Sequence, residues 1–376
     1  MSDPWSEPAV RSDRAERANR SVTPFRAPRR DQWSALASPQ LITVGVDIGG
    51  TKVAAGVVSA EGKVLDRARR ETPDRSKSPQ VVEDTIVDVV LELAERHSIH
   101  AVGIGAAGFV DARRASVLFA PHLSWRNEPL RDAISDRLRL PVVVENDANA
   151  SAWAEWRYGA GYGEHHLVVV NLGTGIGGGV VVNGAVQRGE YGVGGEFGHM
   201  QVVPAGHRCE CGNRGCWEQY ASGNALVREA RELAMADSPV AQGLLERAEG
   251  DPGRITGPLI SAAAKDGDPA SIELFAEIGQ WLGVGIANLA CAFDPGCFVV
   301  GGGVSDAGEL LLAPAREAFR RTLSGRGFRP EARIVRAALG NDAGLVGAAD
   351  LARPLARRFR RARRRRDRLR ERRAVT

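Results

Sequence analysis

Residues 41–70 read LITVGVDIGGTKVAAGVVSAEGKVLDRARR, and residues 167–189 read LVVVNLGTGIGGGVVVNGAVQRG. Each stretch predicts a strand, a Gly-rich turn, a second strand, a two-residue turn (EG or NG) and a third strand. Two such hairpin units, about 125 residues apart, make an internal repeat, and a repeat of this size implies two related α/β domains facing one another. A third strand running into a glycine turn, CFVVGGGVSD, follows at 297–306.

Working outward, PQVVEDTIVDVVLELAERH has helical spacing at Val82, Ile86, Val89, Val90 and Leu93. AVGIGAAG (101–108) reads as a buried strand. PVVVENDANASAWAEWRYG (141–159) reads as a strand passing into a helix, with Asn146 or Asp147 in the cap region. Residues 224–292 are mainly helical and end in the long candidate DPASIELFAEIGQWLGVGIANLACAF. GNDAGLVGAADLAR (340–353) is expected to pack back on the first domain. Residues 1–40 are polar and broken by Pro4, Pro8, Pro24 and Pro28, a composition that predicts disorder. The expected organisation is therefore 1–40 disordered; 41–160 with 338–353 as a small α/β domain; 161–337 as a larger one; and 354–376 as a disordered, Arg-rich tail.

The glycine turns suit phosphate. A turn without Cβ atoms lets backbone N–H groups close on phosphate oxygens, and a Thr hydroxyl adds a donor. Asp47, Gly49, Gly50, Thr51 and Lys52 form the first such turn, and Gly173, Thr174 and Gly175 the second. Gly301, Gly302 and Gly303 make a third. None matches a P-loop or a dinucleotide fingerprint. Asp147 stands at the end of a strand, where open α/β sheets place ligands, and could accept a proton from a hydroxyl attacking phosphorus. It could equally do no more than cap the following helix.

Residues 199–218 hold a second chemistry. His199, Cys209, Cys211 and Cys216 make a Cys₃His set, which predicts a closed, structural zinc site. A redox disulfide within C-x-C is the alternative. The chain has only five cysteines, too few for a disulfide scaffold. Cys291 and Cys297 lie in apolar stretches and are expected to be inert core residues. No uninterrupted apolar run approaches the roughly 18 residues of a membrane span, and no secretory leader is visible, so a cytoplasmic address is expected. The net charge of +4 conceals a basic C-terminal end, thirteen Arg against two acidic residues in 353–376. Such a tail could meet nucleic acid. It is read instead as a solvated extension, with nucleic acid not expected as a partner.

Taken together, DIGGTK, ENDANA, LGTGIGGG, GGEFGH, CECGNRGCWEQYASG and GGGV resemble the ROK family of sugar kinases over residues 41–353. LFAPHLSWRNEPL and FDPGCFVVGGGVSD are similar to stretches of its actinobacterial ATP-dependent glucokinases. The resemblance implies a two-lobed, actin-like ATPase fold and ATP-dependent phosphorylation of a hexose, with glucose expected. Carried over, Asp147 is the general base, and Asn146, Glu196, His199 and Glu218 hold sugar hydroxyls. Asp47 lies near Mg²⁺ and the phosphates, Thr51 and Thr174 donate to phosphate, and Gly301–Gly303 lie beside adenosine. His199 would serve zinc with one ring nitrogen and the sugar with the other. N-acetylmannosamine, fructose, polyphosphate in place of ATP, and a sugar-sensing regulator remain alternatives. The residues before 41 are too few for the helix-turn-helix domain of the family's repressors. Family members commonly form dimers or tetramers.

Overall fold

The computed structural model describes residues 41–374; the expected disorder of 1–40 lies outside the described residues. Strands β1 (Ile42–Ile48), β2 (Lys52–Val58) and β3 (Val64–Glu71) form an antiparallel meander. β4 (Ile99–Ala106) and β8 (Val142–Asn146) then add to β1 in parallel, giving the order β3-β2-β1-β4-β8. The second sheet repeats this plan. Its meander is β9 (His166–Leu172), β10 (Ile176–Val182) and β11 (Ala185–Val186), and β12 (Cys297–Gly301) and β13 (Arg333–Arg336) complete the order β11-β10-β9-β12-β13. Its NG turn holds Asn183 and Gly184 at φ 49° and 76°, the two positive values a tight two-residue hairpin demands. Three short strands, β5 (Phe109–Val110), β6 (Val117–Phe119) and β7 (Arg126–Glu128), form a small extra sheet.

In chain order the helices are α1 (Pro79–Ala94), α2 (Leu130–Leu138), α3 (Asp147–Tyr158), α4 (Glu218–Ala221), α5 (Gly223–Met235), α6 (Gln242–Arg247), α7 (Gly257–Lys265), α8 (Pro269–Phe293), α9 (Glu309–Thr322) and α10 (Ala343–Ala374). Val82, Ile86, Val89, Val90 and Leu93 of α1 are all buried, with β1, β2 and β4 side chains, in one core. A separate core joins α5, α7, α8 and α9 to β9, β10 and β12. By length and composition α8 could cross a membrane, which the count of uninterrupted apolar residues did not anticipate; 61% of its most apolar window is buried against its neighbours, as in a core helix.

Between the cores lie α3 and α10, and both are placed by small residues. A Cβ on Gly45 or Gly103 would come within 1.9 and 1.8 Å of the Leu345 and Ala348 carbonyl oxygens, and one on Gly347 within 1.8 Å of Ala150 O, so α10 approaches both the sheet and α3 to backbone contact. Likewise Gly177 and Gly179 of β10 press on Ala148 and Ala152 of α3. Only the first half of LGTGIGGG is thus a turn; Gly177–Gly179 belong to a strand and serve packing. Two expectations need correction. The last helix does not stop at 353 but continues through Ala374, so the tail from 354 is helical rather than unstructured. Arginine is a good helix former, and the chain enters the tail from a helix already nucleated and packed. Cys291 is exposed, with Sγ 3.1 Å from Ser324 Oγ, because it faces outward near the end of α8; Cys297 is buried as expected.

Candidate active site

Asp147 opens α3 at the C-terminal edge of β8. The pairing of β4 sets Gly105 opposite Asp47 on one side and Glu145 on the other. A Cβ on Gly105 would lie 3.7 Å from Asp147 Cα and 3.8 Å from Asp47 Oδ1. The two aspartates therefore share one notch at the sheet edge. Asp47 Oδ1 also lies close under Gly344, at the start of α10. Asn146 caps α3, accepting the Asn149 N–H at 3.0 Å and donating through Nδ2 to Gly108 O at 3.1 Å. One N–H and one lone pair of its amide stay available to a ligand.

The notch is electrostatically tense. Burial, then the charge of Asp47, then that of Glu196 push Asp147 up to about 7. Burial also raises Asp47, against the pull of Lys52. Glu196 is raised by burial, opposed by His199 and reinforced by Glu218. A carboxyl with its proton affinity near neutrality can accept a proton during reaction and pass it to solvent afterwards.

The third group of residues meets Glu218. His199 Nδ1 lies 3.7 Å from Cys209 Sγ, and Cys211 Sγ lies 3.6 Å from Cys216 Sγ; the four ligand atoms all fall within 4.8 Å of one another. A tetrahedron with Zn–S bonds of ~2.3 Å has edges of about 3.8 Å, so the donors are spaced for zinc. The loop returns on itself at Gly215, φ 73°, where a Cβ would sit 1.6 Å from Val203 O. Glu218 Oε1 is 3.1 Å from Cys209 Sγ and 3.6 Å from His199 Nδ1, while Oε2 points past Gly198 toward Gly175. Nδ1 of His199 faces the thiols, which leaves Nε2 for another partner.

The glycine turns occupy the other side. Gly173 O accepts the Gly223 N–H at 2.8 Å, and Thr174 O accepts the Asn224 N–H at 3.3 Å. A Cβ on Gly302 would be 2.3 Å from Leu172 O, and one on Gly223 3.4 Å from Val304 Cγ2. So Gly173–Gly175, Gly301–Gly303 and the start of α5 converge. Thr51 and Thr174 are both exposed. The first turn is closed by Gly49 N–H on Lys52 O at 3.0 Å, and Gly50 lies against His122.

Several contributors had no place in the sequence reading. Asn171 pairs with Gly301 as Asp47 pairs with Gly105, so it is the second-sheet counterpart of Asp47. Aligning NLGTG with DIGGT across the repeat would have found it. Gly105, the Gly108 carbonyl and the α5 terminus at Gly223 carry no such local signal, because strand pairing and helix packing bring them in.

The family model for the ROK family matches residues 43–354. The chain is 50% identical to a glucokinase of Streptomyces coelicolor over 312 residues, which is 83% of this chain and 98% of that protein. It is 36% identical to a glucokinase of Thermotoga maritima, over 83% of this chain and 98% of that one. Among solved structures, a ROK family glucokinase from Streptomyces griseus in complex with glucose and AMPPNP superposes with a TM-score of 0.77, at 53% identity over 83% of this chain and 99% of the other. The duplicated five-stranded sheets are the two-lobed, actin-like ATPase arrangement.

Proposed function

This chain belongs to the ROK family, and on that premise we propose that it transfers the γ-phosphoryl group of ATP to the 6-hydroxyl of glucose. The observation that carries the reading is the notch in which Asp147, lifted to about 7, stands beside Asp47 at the sheet edge. Asp147 takes the hydroxyl proton as the sugar oxygen bonds to phosphorus and the bond to the bridging oxygen breaks, leaving ADP with the electron pair. Asn146, Glu196, His199 through Nε2, and Glu218 hold the sugar hydroxyls. Gly49, Gly50, Thr51 and Lys52 close on the phosphates from one lobe, and Gly173, Thr174 and Gly175 from the other. Gly301, Gly302 and Gly303 lie beside the adenosine. Asp47 would hold the Mg²⁺ that accompanies ATP, which supplies charge neutralisation on the phosphates. His199, Cys209, Cys211 and Cys216 would hold Zn²⁺. Four protein ligands leave no open position, so that ion contributes loop order.

The lobes of this reading are residues 41–160 with 338–353, and residues 161–337. Closing one on the other excludes water, so that sugar rather than water is phosphorylated. A cytoplasmic address and a homo-oligomer accompany the assignment. Coupled assay over glucose, mannose, fructose, N-acetylglucosamine and N-acetylmannosamine, with ATP and with polyphosphate, tests it. Glucose with Mg-ATP should give the highest kcat/KM. N-acetylmannosamine ahead of glucose, or polyphosphate ahead of ATP, would overturn the assignment.

A further inference from the structure

Glu145 directly precedes the Asn146–Asp147 pair at the end of β8. Its carboxylate is 1% exposed and sits between two guanidinium groups, Arg114 Nε at 2.9 Å and Arg188 Nε at 3.0 Å. Arg114 belongs to the loop between β5 and β6 of the same lobe. Arg188 comes from the other lobe, just beyond β11. Its remaining N–H groups fan over three consecutive carbonyls: Nη1 donates to Ala112 O at 3.2 Å, and Nη2 to Asp111 O at 3.0 Å and Val110 O at 3.3 Å.

We infer that Arg188 is a positioning residue of the phosphoryl-transfer site, fixing the segment that carries Glu196 against the strand end that carries Asp147. The inference rests on the function proposed above. Two sides of the geometry support it. On the first, the Glu145 Oε1 that receives Arg188 also accepts the N–H of Asn146 at 2.9 Å, so the guanidinium is one atom removed from the peptide that starts α3. On the second, Gly194 N–H returns to Arg188 O at 2.9 Å, closing residues 188–194 into a loop that delivers Glu196 two residues later. That loop is seated on the first lobe: a Cβ on Gly192 would lie 2.6 Å from both Val110 O and Ala112 N. Stability alone does not account for the arrangement, since apolar residues often replace a buried ion pair without loss. What apolar contact cannot supply is direction, and five N–H donors in a rigid fork do supply it.

The nucleotide side shares none of these contacts. Losing Arg188 should therefore damage sugar use selectively. We expect Arg188→Ala to raise KM for glucose at least tenfold while KM for ATP stays within twofold. Arg188→Lys keeps a cation near Glu145 but loses the fork, so it should recover most of the melting temperature and still show at least a fivefold rise in glucose KM. Gly192→Ala, which lifts the loop by steric contact without touching the ion pair, should show the same sugar-selective rise, and it covers the case in which both Arg188 variants fail to fold. A normal glucose KM in the Arg188→Lys or Gly192→Ala protein, or both KM values raised alike, overturns the inference. Wild-type protein serves as the separate control: if it does not phosphorylate glucose, the proposed function falls and takes the inference with it, whereas normal wild-type turnover with unaffected variants removes the inference alone.

Discussion

At the scale of single residues, Asp147 carries two duties that its position allows together. It starts a helix, and it faces a second carboxylate across Gly105. Replacing it with Asn keeps the shape and a hydrogen-bond acceptor but removes the proposed base. Asp147→Asn should therefore lower kcat by about 10²–10⁴ while glucose binding by calorimetry changes little. The pH profile separates the base from the cap. A base works deprotonated, and Asp147 is raised to about 7, so kcat at saturating Mg-ATP should fall as pH drops through 7. An ordinary aspartate, near 3.8, would hold full activity well below that. A profile flat down to pH 5, or near-normal turnover in the Asn variant, would reduce Asp147 to a helix cap.

At the scale of elements, the loop from Met200 to Trp217 is exposed or half-buried from Gln201 to Arg214 except at Cys209, so little of it is packed in the core. Backbone hydrogen bonds fold it back on itself, among them Val202 N–H on Gly215 O at 2.8 Å, Gly215 N–H on His207 O at 2.8 Å and Cys209 N–H on Asn213 O at 2.9 Å. An ion joining His199, Cys209, Cys211 and Cys216 would add a further tie, and on the proposed assignment elemental analysis should find about one zinc per chain. Cys211→Ser should lose the metal. Since Glu218 touches Cys209 and His199, glucose affinity should drop more than ATP affinity. Metal-free active protein, or a Cys211→Ser enzyme impaired only toward ATP, would sink the assignment. The contact of α3 with α10 offers a second test at this scale. Gly347→Ala would place a methyl 1.8 Å from the Ala150 carbonyl, whereas Gly303→Ala meets nothing within 4 Å. Overpacked backbone contacts of this kind cost about 1–3 kcal/mol or more, so chemical denaturation should show a clear loss for the first and almost none for the second. Equal stability of the two would mean that the helices separate without cost.

At the scale of the whole molecule, the hairpin repeat was legible because its signals are local: alternating apolar residues and turn residues at fixed offsets. The cysteine spacing was legible for the same reason. Strands of two to four residues, such as β5, β6, β7 and β13, carry no period long enough to read, and the three-way tie of Arg114, Glu145 and Arg188 exists only once distant segments meet. The end of α10 was misread for a physical reason as well: charge and scarce apolar residues say nothing against a helix that is nucleated elsewhere. Where the fold stops needing that helix can be located from burial. Arg353 is 7% exposed at its side chain, pairs with Asp350 at 3.0 Å, and donates to Leu41 O and Ser59 O at 2.7 Å each. Asp350 in turn accepts Tyr158 O–H at 2.6 Å and Trp153 Nε1–H at 2.9 Å. Ala352 and Ala356 are buried, while Arg358 and Phe359 are exposed. Truncation before Arg357 should accordingly leave melting temperature and kinase activity near those of the full chain. Truncation before Arg353 should not, because it strips a close cation from the buried Asp350 and frees the carbonyls of Leu41, Val58 and Ser59. Breaking one side of a buried pair costs on the order of 3–5 kcal/mol. If the shorter truncation already lowers the melting temperature sharply, the arginine-rich end of α10 docks on the body of the protein, and the boundary of the folded unit lies beyond Ala356.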